Sequence, residues 1–248
     1  MIHYKYLLKR LFNLTCCCLL LPLFLKAQYG SGVPEPKCYI GLQAGAPLFW
    51  GDITSVGKKT YPGAAIGIAG GYRFGKWLAA ELDADYGAGI LGASEWQVND
   101  YIDNNGVLQY TKGSWTLGSV YSRTRFISLG LRLPVRLFAL LRPSKDRVVD
   151  LELAPRFSFN HFTPEIFDLR SYGKLTEGAA PQKWVYAAGG DAGVAVKLDR
   201  KAKVYLRSAL SWISDERFEG ISTRPAWRVN LLLYTTAGVQ FDIGRAKN

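Results

Sequence analysis

The chain has 248 residues, 48% hydrophobic and 21% charged, with 26 glycines and a formal net charge of +11. Its neutral mean hydropathy excludes a polytopic helical membrane protein, its apolar content excludes a disordered chain, and its glycines lack the period of collagen. The length suits one all-β barrel or sandwich, and the positive excess points to an anionic partner.

Met1 to Arg10 carries Lys5, Lys9 and Arg10 and no acid, Leu11 to Leu25 is almost unbroken apolar sequence, and Lys26-Ala27-Gln28 follows. A basic start, an apolar core and a small residue before the cut predict a secretory signal peptide over residues 1–27. The run is shorter than the ~20 residues of a transmembrane helix. Cys16, Cys17 and Cys18 lie inside the apolar run rather than after it, which argues against a lipoprotein signal. Cleavage after Ala27 takes four positive charges, so +11 becomes +7. Cys38 is then the one cysteine left, and a disulfide-stapled secreted domain is excluded.

After a short lead over residues 28–37, the chain alternates between apolar and polar residues in eight stretches, the mark of strands with two chemically different faces. The apolar faces run, every second residue, Cys38 to Leu48, Ala64 to Phe74, Leu78 to Tyr86, Ile127 to Leu137, Val149 to Phe159, Trp184 to Leu198, Val204 to Trp212 and Trp227 to Ile243. These faces hold 51 positions, and none is charged. The opposite faces collect Arg73, Arg132, Arg136, Arg156, Lys197, Arg207 and Arg228 against Glu81, Asp83, Asp85, Asp150, Glu152, Asp191 and Asp242, seven of each sign. Pro134 and Pro155 fall within strands, where each removes a ladder hydrogen bond.

Short links (Gly75-Lys76, 139–147 and 199–203) alternate with long ones (49–63, 87–123, 160–183 and 213–226). An even number of strands with short turns at one end and long loops at the other predicts an all-β, eight-stranded, antiparallel up-and-down transmembrane barrel over residues 38–244, with a short tail at 245–248. Both termini then lie on the periplasmic side. A soluble lipocalin-like barrel also alternates, but with its apolar face inward. The membrane reading rests on strand length, on aromatics near strand ends (Tyr72, Phe74 and Trp77 at the turns; Tyr86, Phe157, Phe159, Trp184, Trp212 and Trp227 at the loops), and on the sign-balanced charged face, which suits a narrow lumen where a buried charge needs a partner.

Particular stretches carry a family likeness: Lys26-Ala27-Gln28, Tyr39-Ile40-Gly41-Leu42, Trp50-Gly51-Asp52-Ile53, Ala69-Gly70-Gly71-Tyr72-Arg73-Phe74 and the closing Thr236-Ala237-Gly238-Val239-Gln240-Phe241-Asp242-Ile243-Gly244. In these the chain resembles the small outer-membrane β-barrels of Bacteroidetes-type bacteria, in the OmpA-like and PorT-like group. The resemblance implies an outer-membrane barrel without implying an active site. It departs from the group in continuing past Phe241 to Asn248 rather than ending on an aromatic, and no peptidoglycan-binding domain follows.

Glu81, Asp83 and Asp85 could be a catalytic or metal-binding carboxylate ladder, but Arg132 and Arg136 share their face, and a structural salt-bridge network is the simpler reading. Its functional version is a plug that rearranges to open a pore. His161 lies beside Ser158 and Asn160 and suggests the alternative of a lipid A-modifying barrel enzyme; without a carboxylate partner or a placed nucleophile it is read as a loop histidine. No phosphate-binding glycine loop, metal spacing or dinucleotide fingerprint occurs, so no cofactor is expected and the protein is not read as an enzyme. The 87–123 link holds Trp96, Tyr101, Tyr110, Trp115 and Tyr121, which suit a glycan, a protein of an envelope complex, or packing on the barrel's own rim. Lys58, Lys59, Lys112, Arg123 and Arg125 fit contact with the phosphates of lipopolysaccharide in the surrounding outer-membrane lipid, whereas nucleic acid is no expected partner of a secreted chain.

Overall fold

Period-two alternation commits long stretches of this chain to strands, and the computed structural model shows how they close. It describes residues 38–51, 60–92, 101–105, 107–109, 115–141, 148–176, 184–199, 201–221 and 230–243. The expected signal peptide, lead and tail, together with Arg228, Trp227, Trp96, Tyr110, Lys58, Lys59 and Lys112, lie outside the described residues.

Eight long strands form the wall: β1 (Cys38–Trp50), β2 (Thr60–Arg73), β3 (Ala79–Gly92), β4 (Val120–Arg132), β5 (Val149–Asp168), β6 (Val185–Lys197), β7 (Ala202–Ile213) and β8 (Leu231–Ile243). Each pairs antiparallel with its neighbours in sequence, and β8 returns to β1 from Cys38↔Ile243 to Trp50↔Leu231, so the sheet has no free edge. Closure lets neighbouring strands pair their backbone groups all the way around the wall, which an apolar surrounding requires. Cys38, Ile243 and the three short links share one end, called here the turn end; the four long links share the other, the loop end.

The strands outrun the sequence-based bounds toward the loop end. β3 continues past Tyr86 to Gly92, β4 starts at Val120 rather than Ile127, and β5 continues past Phe159 to Asp168. The β3–β4 link is correspondingly shorter, and it carries a small sheet in which Tyr101–Ile102 pairs with both Leu108–Gln109 and Trp115–Thr116. At the turn end β4 stops at Arg132, because Pro134 has no N–H to give the ladder. Pairing resumes at once in the same register, Val135↔Leu153 and Arg136↔Glu152, and helix α1 (Leu137–Leu141) then stands where the sequence suggested the end of a strand and a turn. Trp77 and Leu78, expected in an outer aromatic girdle and on the outer face, are instead buried against Val135, Ala139 and Leu140.

Inward positions fill the barrel in two layers. In the loop half Phe49, Leu91, Phe126, Phe162, Val185, Ile213, Phe218 and Leu232 form an apolar cluster. Toward the turn end the large inward side chains are mostly polar or charged, with alanines and glycines between them. Among the described residues, the inward side chains thus pack as an apolar cluster toward the loop end and a polar one toward the turn end.

Candidate functional site

Alternation decides which residues enter the lumen, and the ladder decides which of them meet. Arg132 on β4 is 1% exposed and holds Asp191 of β6 with two hydrogen bonds of 2.6 Å, from Nε and Nη2. Its Nη1 donates to Glu81 of β3 at 2.7 Å. Arg207 of β7 donates to the same Glu81 oxygen at 2.6 Å and approaches Glu152 of β5 at 3.8 Å, and Arg136 reaches Glu152 at 3.6 Å. The Tyr39 hydroxyl closes the hub, donating to Glu81 at 2.9 Å. Six strands, β1, β3, β4, β5, β6 and β7, thus meet in one network about the buried Glu81 carboxylate.

A second group lies toward the loop half. Arg156 donates to Asp83 at 2.5 Å and lies 3.5 Å from Asp85; Gln43 donates to Asp85 at 2.6 Å, and the Tyr205 hydroxyl donates to Gln43 at 3.0 Å. A third pair, Arg73 with Asp242 at 2.5 Å, joins β2 to β8 near the turn end. Aromatic faces hold the guanidinium planes: Arg207 lies 3.7 Å over the Tyr205 ring and Arg73 lies 4.8 Å over that of Tyr39. Lumen glycines make room for these groups. A Cβ on Gly130 would strike the Asp83 carboxylate, and one on Gly71 would strike the Tyr39 ring.

The expected lumen residues are therefore brought together, with exceptions. Asp150 accepts hydrogen bonds from the backbone N–H groups of Phe138 and Leu151. Lys197 has inward parity but stands exposed at the turn-end mouth. Lys203, assigned to a turn by sequence, has inward parity near the start of β7. Sequence reasoning also missed Tyr39, Gln43 and Tyr205, which are polar and inward but uncharged. Together these pairs can brace and seal a barrel. Among the described residues no group of three or more His, Cys, Asp or Glu side chains is placed to hold a metal ion.

The apolar layer above them is capped from the β7–β8 link. Asp215 caps a short 3₁₀ turn (Glu216–Glu219) by accepting from the Arg217 N–H at 2.8 Å, and Gly220 ends the turn at φ 79°. The turn drives Phe218 into the barrel mouth, fully buried, with its ring 5.5 Å from Phe49 and 5.7 Å from Phe162. Thr124 holds it there by donating to the Phe218 carbonyl at 3.0 Å.

The outer surface has the opposite chemistry. Ile66 is 67% exposed, Leu82 66% and Leu206 58%, and Leu42, Ile68, Leu129, Leu210 and Phe241 extend the same belt around the wall. Among the described residues, the charged side chains at outward positions of the eight strands are Arg123, Arg125 and Glu165, all on the loop-end extensions of β4 and β5. Arg125 pairs with Glu165 at 3.0 Å and Lys174 with the same oxygen at 2.9 Å. The hydrogen bond from Lys174, with Arg125 and Arg123 close by, holds the Glu165 carboxyl below its ordinary range.

His161 belongs to this outer surface. It is a residue of β5 rather than of a loop, and it faces outward, with its ring 5.5 Å from that of Trp184. Ser158 and Asn160 are buried on the inward face, so the strand itself separates them from His161. Of the loop aromatics, Trp115 packs on a rim cluster of Ile102, Val120, Ile166 and Ile221, and Tyr121 stacks on Phe167 at 5.3 Å. Tyr101 lies in the small rim sheet, half-buried.

No protein-family model and no curated protein matches the chain. Among solved structures it is similar to Neisserial surface protein A, at 13% identity over 86% of this chain and 100% of that one, with a TM-score of 0.49. It is similar to Ail, the attachment invasion locus protein of Yersinia pestis, at 9% identity over 84% and 99%, TM-score 0.44. It is also similar to the outer membrane protein OprG of Pseudomonas aeruginosa, at 10% identity over 85% and 98%, TM-score 0.42. These likenesses are too distant to carry any residue's role across, and the barrel is read from its own ladder.

Proposed function

We propose that the chain is an integral outer-membrane β-barrel with a non-catalytic role, structural or as an accessory that holds an envelope partner through its loops or turns. The observation that carries this reading is the uncharged apolar belt around a wall whose charges are paired inside. A soluble barrel needs the reverse arrangement, since an exposed apolar surface of this extent invites association in water. The belt's height also fits. The 13 residues of β1, at ~3.3 Å per residue and a tilt of ~45°, climb about 30 Å, the thickness of a bilayer's hydrocarbon core.

In this reading residues 1–27 direct export, the turn end with both termini faces the periplasm, and the loop end faces outward among lipopolysaccharide. The Bacteroidetes-type, PorT-like resemblance belongs to the same proposal. The lipid-modifying alternative is not favoured, because Ser158 and Asn160 lie across the strand from His161.

The test is a charge placed on the belt. Leu206→Arg is expected to cost ~2–4 kcal/mol of folding free energy in phosphatidylcholine vesicles, while Thr163→Arg, near the belt's upper edge, costs at most ~1 kcal/mol. The barrel should also fractionate with detergent-extracted membranes and change its gel mobility on boiling. Equal stability of Leu206→Arg and the parent, or recovery of the parent from the aqueous phase, refutes the membrane reading.

A further inference from the structure

Among the described residues, the outward charges of the wall are not scattered. They form one group at the top edge of the belt on β4 and β5. Arg123 and Glu165 are cross-strand partners, Arg125 sits two residues along, and Lys174 enters from the short strand Lys174–Thr176 that pairs with the end of β5. Three cations therefore surround one carboxylate, and both Arg125 and Lys174 bind the same oxygen of it. The group carries a net positive charge where the exterior turns from apolar to polar.

Directly below is a hollow of about 220 Å³ lined by Tyr86, Arg125, Phe126, Ile127, His161 and Thr163. That is room for about seven waters. Its wall combines a guanidinium, an imidazole, a threonine hydroxyl and a phenol with apolar carbon on its belt side. Trp184, its ring tilted against that of His161, flanks it, and an aromatic at this level belongs to the zone of lipid headgroups.

We propose that this hollow and the Arg123–Arg125–Lys174 group form a seat for the phosphate of an anionic membrane lipid, with the lipid's acyl chains running down the belt over Ile127 and Tyr86. The inference rests on the bilayer reading above. Guanidinium groups suit phosphate because they offer paired donors in one plane. Glu165 fixes the spacing of Arg125 and Lys174, and a lipid phosphate offers the exposed guanidinium donors beside it several further acceptor oxygens. The seat lies on the outside of the wall, so it works with the lumen sealed.

The test uses the full barrel refolded in zwitterionic detergent, with folding scored by heat-modifiable migration before any titration. Phosphatidic acid and phosphatidylcholine are titrated separately, and retained lipid is counted by native mass spectrometry. The expected result is one tightly retained phosphatidic acid per barrel and no comparable retention of phosphatidylcholine. Arg123→Gln with Arg125→Gln should weaken retention about 25-fold, while Glu165→Gln, which removes the competing carboxylate, should strengthen it. A merely structural role for the group predicts weakening in both cases. Equal retention of the two lipids, or no effect of the double variant in a barrel that still folds, overturns the seat while leaving the membrane reading standing. Failure of the parent to fold in detergent or vesicles overturns the membrane reading instead. Displacement of phosphatidic acid by inorganic phosphate at equal concentration assigns the site to free phosphate and overturns the lipid as its ligand.

Discussion

Removing the Arg132 guanidinium tests whether the lumen network is held by pairing or merely crowded with charge. Arg132→Met keeps most of the side chain's volume and deletes three hydrogen bonds of 2.6 to 2.7 Å. Glu81 retains Arg207 at 2.6 Å and Tyr39 at 2.9 Å. Asp191 loses the group that held both of its oxygens, in a place where its side chain is 1% exposed. Leaving a buried carboxylate uncompensated costs ~3–5 kcal/mol, and nearly all of that should fall on Asp191. Asp191→Asn alone leaves Arg132 bound to Glu81 and should cost less, ~1–3 kcal/mol. The double variant removes one charge of each sign, so it should cost no more than Arg132→Met alone, a favourable coupling within the ~0.5–3 kcal/mol range of contacting pairs. Urea titrations of the refolded barrel in vesicles, followed by tryptophan fluorescence and by gel migration, give the three values. Strict additivity, or an Arg132→Met cost below ~1 kcal/mol, refutes the pairing argument.

Two further outcomes follow from the same geometry. Phe218→Ala should cost ~3–5 kcal/mol, since it empties a fully buried site between Phe49 and Phe162; planar-bilayer recordings should nevertheless stay silent, because the ion-paired layer beneath still fills the lumen, and sustained conductance would refute the two-layer seal. At the outer rim, Glu165 has a lowered folded-state pKa, so its contribution to stability is present above the unfolded carboxylate pKa of ~4.3 and is lost as pH falls through the lower folded value. Between pH 5 and 3 the parent's unfolding free energy from urea titration should therefore fall relative to Glu165→Gln by the small amount of an exposed pair, under ~1 kcal/mol, and an identical pH dependence in both would refute it.

Alternation made the wall legible wherever its two faces differ. Leu82 beside Asp83 and Leu206 beside Arg207 announce a strand and its inward side at once. The signal fades toward the loop end for a physical reason. There the lumen layer becomes apolar while the outer face is still apolar, so Phe126 beside Ile127 and Phe49 beside Trp50 show no contrast, although the ladder continues through them. Higher still, the outer face becomes polar at Arg123, Arg125 and Glu165 while Ile166 and Val120 turn inward, and a reading that equates apolar with outward stops short. Pro134 was legible as a conflict but not as an interruption within one register. The ion-pair partners follow from register, which joins Glu81 to Arg132 across β3 and β4 but leaves the contact of Arg132 with Asp191, across the barrel, to three dimensions. Phe218 left a trace in its caps, Asp215 before the turn and Gly220 after it. Nothing in the local sequence says that such a turn folds into the barrel rather than over it.

In the barrel as proposed, the buried ion pairs toward the turn end and the ring cluster toward the loop end oppose a path through the lumen and favour a role on the outer surfaces. A transport path would need Arg132, Arg207 and Arg156 to release carboxylates that hold them at 2.5 to 2.7 Å, and then Phe218 to leave a cluster of rings. Breaking even one buried pair costs several kcal/mol, and the hub ties six strands together, so opening would have to break several at once. The rim asks for no such rearrangement. Its charges are half-exposed, its aromatics already stand at the belt's edge, and a ligand arriving there displaces little more than water. Binding through the loop end or the outer wall therefore needs no conformational step that the fold opposes, whereas conduction needs the loss of its most tightly held contacts.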